Sequence, residues 1–175
     1  MNYILLFEAF NKEGLNESLA GITKFRDLFE RMPTKLKKRV KELGKIPQHP
    51  EYHPEGNVLK HTIIVVNRAI ASGDIDLALA AIFHDIGKDE TLDFNPKTNM
   101  PTAYGHEKVS ASLAKEYRKW IEEMGGNAAD VYYIIKNHMR LKFMDDMRPK
   151  KQNKLKSFRA FGKLSKFGKY DKGGY

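Results

Sequence analysis

The sequence contains no cysteine among its 175 residues, which excludes disulfide scaffolds, thiolate zinc sites and cysteine nucleophiles. It also has no apolar run close to the roughly 18 to 20 residues that a membrane span requires. The apolar stretch at residues 4–7 ends at Glu8, and it lacks the preceding basic region of a secretory signal. We therefore expect a soluble protein without membrane association and with a cytoplasmic location.

Acidic residues are scarce relative to basic ones: 22 Asp and Glu stand against 31 Lys and Arg, which gives a formal net charge of +9. Such an excess favours contact with anionic substrates and nucleic acid, although it carries no information on the fold. Basic residues concentrate in a first basic cluster over residues 35–45 and a second basic cluster over residues 148–169. Each cluster is either a solvated helix face or part of a collar that attracts phosphate-rich ligands.

Strand signals are nearly absent, because apolar and polar residues rarely alternate between turns. Apolar residues instead recur at helical spacing, and Gly or Pro separates the periodic segments. The sequence therefore predicts an all-α fold, a single compact helical bundle with short N-terminal helices and a basic C-terminal helix. We place an N-terminal helical segment at residues 1–45 and the main domain at residues 46–175.

The central predicted helix is nearly all apolar, whereas its neighbours carry one apolar face. Asn57 is the predicted N-cap of the helix before it. The last helix carries an apolar stripe that forms either part of the core or a platform on which single-stranded RNA stacks. The predicted helices span residues 58–72, 75–86 (the central one), 104–124 and 127–140. The aromatic residues of the last segment are Phe158, Phe161, Phe167 and Tyr170.

Six histidines occur in the sequence, and the dipeptide His84-Asp85 stands out among them. Taken singly, a helix-borne His is more often a hydrogen-bonded residue than a metal ligand. Asp85, however, follows an apolar helix without a polar face, and Asp is almost never fully buried unless it is paired or bound to a cation. The negative charge of a buried Asp85 is compensated either by a divalent cation that His and Asp residues bind or by an ion pair with Lys88 or an Arg.

The order His61, then His84-Asp85, then a distal Asp resembles the H…HD…D signature of the HD-domain superfamily of metal-dependent phosphohydrolases. The resemblance extends over residues 50–172 and is greatest to the HD domain at the C-terminal end of bacterial CCA-adding tRNA nucleotidyltransferases. Four further segments carry it: residues 53–62, residues 84–88, residues 104–114 around His106, and Asn137-His138. Tyr170-Asp171 resembles the closing Asp of the signature.

This resemblance implies an HD-domain helical bundle and a divalent metal centre of one or two ions. A first metal would be held by His61, His84, Asp85 and Asp171. Asp85 would bridge to a second metal, held also by His106 and His138. Ligands of nitrogen and oxygen suit Mn, Fe, Co, Ni or Zn more than Ca, and Mg is a further candidate. Asp145 and Asp146 are the alternatives to Asp171, which stands beside Gly173-Gly174.

Lys88 is the predicted partner of Asp85 in catalysis. Its side chain either binds a phosphoryl oxygen of the substrate or caps the C-terminus of its own helix. Each ligating His requires an acceptor for its other ring N–H, and Glu107 or Asp89 are the candidates. The resemblance leaves His49 and His53 outside the signature, with substrate-side or purely structural roles.

These residues predict an enzyme that hydrolyses a nucleotide, a cyclic nucleotide or an RNA-terminal phosphate with metal-activated water. Its expected partner is a phosphate-containing small molecule or nucleotide. The alternative is a metal-stabilised RNA-binding module of little activity, which contacts RNA through the two basic clusters. The sequence leaves the oligomeric state open.

Overall fold

The computed structural model describes residues 19–172, and the regular secondary structure of this part is almost entirely helical. The short helices predicted before residue 19 lie outside the described residues. A single two-stranded antiparallel hairpin of β1 (Asp93–Phe94) and β2 (Pro101–Thr102) interrupts the helices of this part. The helices are α1 (Phe25–Glu30), α2 (Thr34–Glu42), α3 (Val58–Ala71), α4 (Ile75–Phe83), α5 (Lys88–Thr91), α6 (His106–Glu116), α7 (Arg118–Glu123), α8 (Ala128–Lys142), α9 (Pro149–Lys156) and α10 (Phe161–Tyr170).

Side-chain caps fix where the main helices begin. The Asn57 side chain accepts a hydrogen bond from the Lys60 N–H at 3.0 Å at the start of α3, as predicted. Asp74 accepts from two N–H groups of the first turn of α4, and Asn127 caps α8 in the same way. Such caps satisfy amide groups that have no partner within the helix.

Helix α4 lies at the centre of the bundle, and all nine of its residues are buried. It packs against α3, α6 and α8, and α10 covers α8 and α3 from the outside. Because α4 has no polar face, only surrounding helices can remove its whole surface from water. The residues that follow α4 directly, His84 and Asp85, consequently emerge in the interior of the protein.

Helix α4 ends at Phe83, three residues earlier than predicted, and a tight turn leads through Gly87 into α5. A Cβ atom on Gly87 would lie 2.8 Å from both the His106 carbonyl oxygen and the Ser110 nitrogen. The glycine therefore lets the first turn of α6 approach this turn closely. The predicted helix over residues 104–124 is divided at Tyr117 into α6 and α7.

The apolar stripe of the last segment belongs to the core. Leu164 and Phe167 of α10 are fully buried, and Phe161 packs at the edge of the same cluster. Phe158 precedes the helix and stacks on Tyr133 at 4.3 Å between ring centroids. No helix between residues 19 and 172 is both long and apolar enough to cross a membrane.

Candidate metal centre

The structure brings all six predicted metal ligands into one buried cluster, and it takes them from five different places in the fold. They come from the first turn of α3, the turn after α4, the start of α6, the interior of α8 and the residue after α10. Each is at most 4% exposed. In that order, these predicted ligands are His61, the pair His84 and Asp85, His106, His138 and Asp171.

A first ligand group forms around the Oδ2 side of Asp85. His61 Nε2 lies 3.0 Å from Asp171 Oδ1 and 3.9 Å from Asp85 Oδ2. His84 Nε2 lies 3.3 Å from Asp85 Oδ2 and 3.4 Å from Asp171 Oδ1. Two imidazoles and two carboxylates therefore converge on one small volume.

A second ligand group forms on the opposite oxygen of Asp85. His106 Nε2 lies 3.1 Å from Asp85 Oδ1, and His138 Nε2 lies 3.9 Å from the same oxygen. The two imidazole nitrogens are 3.2 Å apart. Asp85 thus turns one carboxylate oxygen to each group, which is the arrangement of a bridging ligand.

Three of the imidazoles are oriented by the backbone. The Nδ1 atoms of His84, His106 and His138 lie 2.8, 2.7 and 2.7 Å from the carbonyl oxygen three residues earlier in the chain. A carbonyl can only accept, so Nδ1 donates, and Nε2 carries a lone pair whenever the ring is neutral. All three Nε2 atoms lie within 3.9 Å of an Asp85 oxygen. The acceptors are Ala81, Ala103 and Ile135.

The fourth imidazole is oriented by a side chain that the sequence did not single out. His61 Nδ1 lies 2.6 Å from Glu55 Oε1, and this carboxylate is 5% exposed. The prediction that Glu107 or Asp89 accepts from a ligating His was wrong. Asp89 forms an ion pair with Arg39 instead. The Nδ1–H groups of the clustered histidines donate to backbone carbonyls and to Glu55.

The cluster has the donors of a metal site. In the second ligand group two lone pairs face each other at 3.2 Å, an arrangement that repels unless a cation or proton lies between them. In the first group His84 Nε2 is fully buried, makes no hydrogen bond and faces two carboxylate oxygens at 3.3 and 3.4 Å, so a cation or a proton is needed to balance the buried charge. Imidazole nitrogens with carboxylate oxygens and no sulfur are donors that first-row divalent metals accept. The residues present therefore fit a divalent metal.

The charges of the site are coupled. Burial by itself raises the pKa of Asp85, but His84 and Lys88 outweigh it and hold that pKa well below its usual range. Burial also opposes protonation of His84, yet Asp85 and Asp171 raise its pKa to about 10. Burial lowers the pKa of His138 to about 3. The carboxylates of Asp85 and Asp171 therefore require compensating positive charge nearby, whereas His138 is neutral and can act as a ligand.

Lys88 lies at the edge of the cluster. Its Nζ atom is 2.8 Å from Asp85 Oδ2 and 2.6 Å from Gln48 Oε1. Because α4 ends at Phe83 and Lys88 opens α5, its ammonium group does not cap the C-terminus of α4. The ion pair between Lys88 and Asp85, the alternative explanation for a buried Asp85, is present. Asp85 contacts the imidazoles as well as Lys88.

Two further residues, Lys142 and His53, contact the cluster although neither was predicted to be a metal ligand. Lys142 Nζ lies 3.0 Å from Asp171 Oδ2, and its side chain is 38% exposed. The His53 ring meets the His61 ring edge-on at 4.6 Å, and its Nδ1 lies 3.0 Å from Glu55. Burial, with smaller contributions from Lys88 and His61, lowers the pKa of His53 to about 4.

The carboxylate alternatives to Asp171 do not reach the site. Asp145 and Asp146 are exposed, whereas Asp171 is 2% exposed and lies among the imidazoles. His49, the remaining histidine, stacks on Tyr52 at 4.8 Å between ring centroids. It contacts none of the six clustered residues within the part of the chain described.

Two cavities open beside the cluster. A cavity of about 480 Å³ is bordered by Lys88 and His106, and one of about 960 Å³ is bordered by Lys142 and Asp171. Tyr52, His53 and Met139 border both. The cluster is therefore reached from two sides.

Comparison with known proteins gives one family and a set of partial relatives. A family model described as HD domain matches residues 58–160. The chain is 37% identical over 75 residues to the Multifunctional CCA protein of Thioalkalivibrio sulfidiphilus, which covers 42% of this chain and 17% of that protein. It is 30% identical over 105 residues to the Multifunctional CCA protein of Cupriavidus necator, covering 52% of this chain and 25% of that protein. No solved structure matches the chain significantly.

Proposed function

Because this chain belongs to the HD domain family, we propose that it hydrolyses the phosphate ester of a nucleotide, a cyclic nucleotide or an RNA terminus. The family is a superfamily of metal-dependent phosphohydrolases. The chain corresponds to a quarter or less of the length of the relatives described above. Its substrate is therefore inferred from its own site, together with the sequence resemblance to the HD domain of CCA-adding enzymes.

One observation carries the proposal: four imidazoles, each fixed through Nδ1, direct Nε2 at two buried carboxylates. We infer that these six residues are metal ligands and that Asp85 is shared between two ions. A divalent cation in such a site lowers the pKa of a coordinated water from about 15.7 toward about 7 and neutralises charge on a phosphoryl group. The six residues are His61, His84, Asp85, His106, His138 and Asp171.

The protein's own residues then position the ester. Lys88 borders the smaller cavity, and its ammonium group is held by Asp85 Oδ2 and Gln48 Oε1 at the edge of the first ligand group. From this position it binds a phosphoryl oxygen as a point charge. The burial of the cluster excludes bulk water, which strengthens the attraction between Lys88 and the phosphate.

The second basic cluster favours the alternative function, a metal-stabilised module that binds RNA with little catalysis. Four of its lysines, at positions 150, 151, 154 and 156, are exposed. The first basic cluster favours it less, since Lys37, Arg39 and Lys45 pair with acidic neighbours. Hydrolysis and RNA affinity measured on the same protein separate the two functions. RNA binding through phosphate contacts is identified by an affinity that weakens steeply with salt.

The experiment is a hydrolysis screen with Mn, Co, Ni, Zn and Mg against phosphomonoesters, cyclic phosphodiesters and nucleotides. Asp85→Asn removes the shared carboxylate charge, and Asp145→Asn is the matched control at an exposed carboxylate. We expect metal-dependent hydrolysis that Asp145→Asn retains and Asp85→Asn loses. Equal hydrolysis by the two variants would contradict the role of Asp85, whereas no hydrolysis with any metal would leave the RNA-binding alternative.

A further inference from the structure

Exposed aromatic side chains surround the openings of the metal centre. Among residues 19–172, six large hydrophobic side chains are exposed, and four of them border the two cavities. Tyr104 is 86% exposed, Tyr52 63% and Phe143 58%. Exposed apolar side chains that group at an opening, in contrast to ones scattered singly over the surface, mark ligand-binding sites. The four residues are Tyr52, Met100, Tyr104 and Phe143.

These aromatic residues are tied to the centre through short stretches of chain. Tyr52 precedes His53, Tyr104 stands two residues before His106, and Phe143 follows Lys142. Tyr104 borders the smaller cavity and Phe143 the larger one. One exposed ring therefore stands at each of the two cavities that open beside the cluster.

Cations accompany the aromatic rings on the Phe143 side. Phe143 also borders a shallow groove of about 240 Å³ together with Arg140, Lys151, Met139 and Met147. This groove leads from the larger cavity toward the second basic cluster. Aromatic faces alternating with Lys and Arg are the combination that binds single-stranded nucleic acid, because bases stack on the rings and cations contact the phosphates.

We propose that the substrate is a short single-stranded oligonucleotide that crosses the metal centre, with one base on Tyr104 and another on Phe143. This inference rests on the proposed function and narrows its substrate class. A mononucleotide or a cyclic nucleotide would occupy one cavity, whereas a phosphodiester within a strand has a nucleoside on each side and uses both. Both cavities lie in the size range of small-molecule sites.

The reaction is a hydrolysis that needs no further reactant. The oxygen of water forms a bond to phosphorus, and the bond from phosphorus to one ribose oxygen breaks. One proton of the water ends on that released oxygen. The products are a strand that ends in a phosphomonoester and a strand that ends in a hydroxyl group.

Strands of equal length with and without bases test the proposal. A labelled strand of uridines and an abasic strand with the same phosphates are bound to chelator-treated protein, and fluorescence anisotropy reports each Kd. We expect the uridine strand to bind more tightly by about tenfold or more, which is within the range for base stacking on aromatic side chains. A thymidine strand reports whether the sugar matters, and tighter binding of either base-bearing strand supports the proposal.

Variants locate the two stacks. Tyr104→Ala and Phe143→Ala are each expected to weaken binding of the uridine strand by about tenfold and to leave the abasic strand unchanged. Phe94→Ala is the matched control, since Phe94 is 47% exposed and borders neither cavity. In steady-state hydrolysis of the uridine strand, the same two variants should raise KM and leave kcat nearly unchanged.

The outcomes separate this inference from the proposed function. Metal-dependent hydrolysis of p-nitrophenyl phosphate with equal affinity for both strands would overturn the inference and leave the phosphohydrolase intact. Base-dependent affinity without hydrolysis of any ester would overturn the proposed function, and the inference with it, because the strand would then be a ligand and not a substrate. An effect of only one of the two aromatic substitutions would contradict a strand that spans both cavities.

Discussion

Glu55 offers the sharpest perturbation of the metal centre, because it touches the ligands without belonging to them. Its carboxylate accepts from His61 Nδ1 at 2.6 Å and contacts His53 Nδ1 at 3.0 Å. Burial raises its pKa, but its own backbone N–H, His53 and His61 outweigh that effect and lower it. Glu55 is therefore ionised and orients His61. Replacing it by Ala removes the acceptor and leaves every proposed ligand in place.

Two routes give the size of the effect. Loss of a residue that orients a metal-bound imidazole weakens metal affinity by about 10- to 100-fold, which equals about 1.4 to 2.8 kcal/mol. Independently, the His61 ring N–H loses its partner in a site where Glu55 is 5% exposed, and an unpaired buried donor costs about 1 to 3 kcal/mol. The two values agree, so we expect Glu55→Ala to raise the metal Kd by about 10- to 100-fold.

The assay is a competition titration against a chromophoric chelator with the wild type, Glu55→Ala and Glu55→Gln. Gln keeps an oxygen acceptor but loses the charge, so its Kd should fall between the other two. Glu51→Ala is the matched control, since Glu51 is an exposed carboxylate of the same loop. If Glu55→Ala binds metal as tightly as Glu51→Ala, the idea that Glu55 orients a ligand is refuted.

Three further predictions concern the frame of the site. Lys163→Met should lower the free energy of unfolding by about 2 kcal/mol, because the buried Asp76, 2.5 Å from Lys163 Nζ, loses its cationic partner. Urea titration measures this change. Lys166→Met, at an exposed position of α10, is the control and should change the free energy of unfolding little. Gly87→Ala should destabilise the protein by about 1 to 3 kcal/mol, since the added Cβ would lie 2.8 Å from backbone atoms. Gly162→Ala has open space around its Cβ and should stabilise α10. Thermal unfolding checks both, and a change in Tm of the same sign for the two variants would contradict this. Metal affinity should fall steadily as the pH drops below about 10, because His84, whose pKa is raised to about 10, must lose its proton to ligate; a Kd that stays constant from about pH 9 to about pH 5 would contradict ligation by His84.

Chemistry alone singled out Asp85 in the sequence, and the resemblance to HD domains supplied the other proposed ligands. An Asp at the end of an apolar helix requires a partner, and α4 proved to be buried on every side. The predicted all-α fold and the HD family are confirmed. The boundary predicted at residue 45 stays a prediction, and Leu36 and Val40 of α2 pack into the same core as α4.

What the sequence did not reveal depends on local geometry. The carbonyl acceptors of the imidazoles become available only because each histidine lies in or beside a helical turn, with its ring folded back three residues. Helix α9 was not predicted because Leu155 is its only buried residue, so no periodicity marks it. Glu55 lies in a loop rich in Pro and Gly, where spacing carries no information on side-chain direction. The β1–β2 hairpin is too short to show alternation.

The most direct test of the metal centre is the metal content of the purified protein after dialysis against each divalent metal in turn. One or two ions per chain are expected in the wild type, with marked loss in Asp85→Asn, because that carboxylate turns an oxygen to both ligand groups. A wild-type protein that retains no divalent ion, or an Asp85→Asn variant that retains as many as the wild type, would contradict the account.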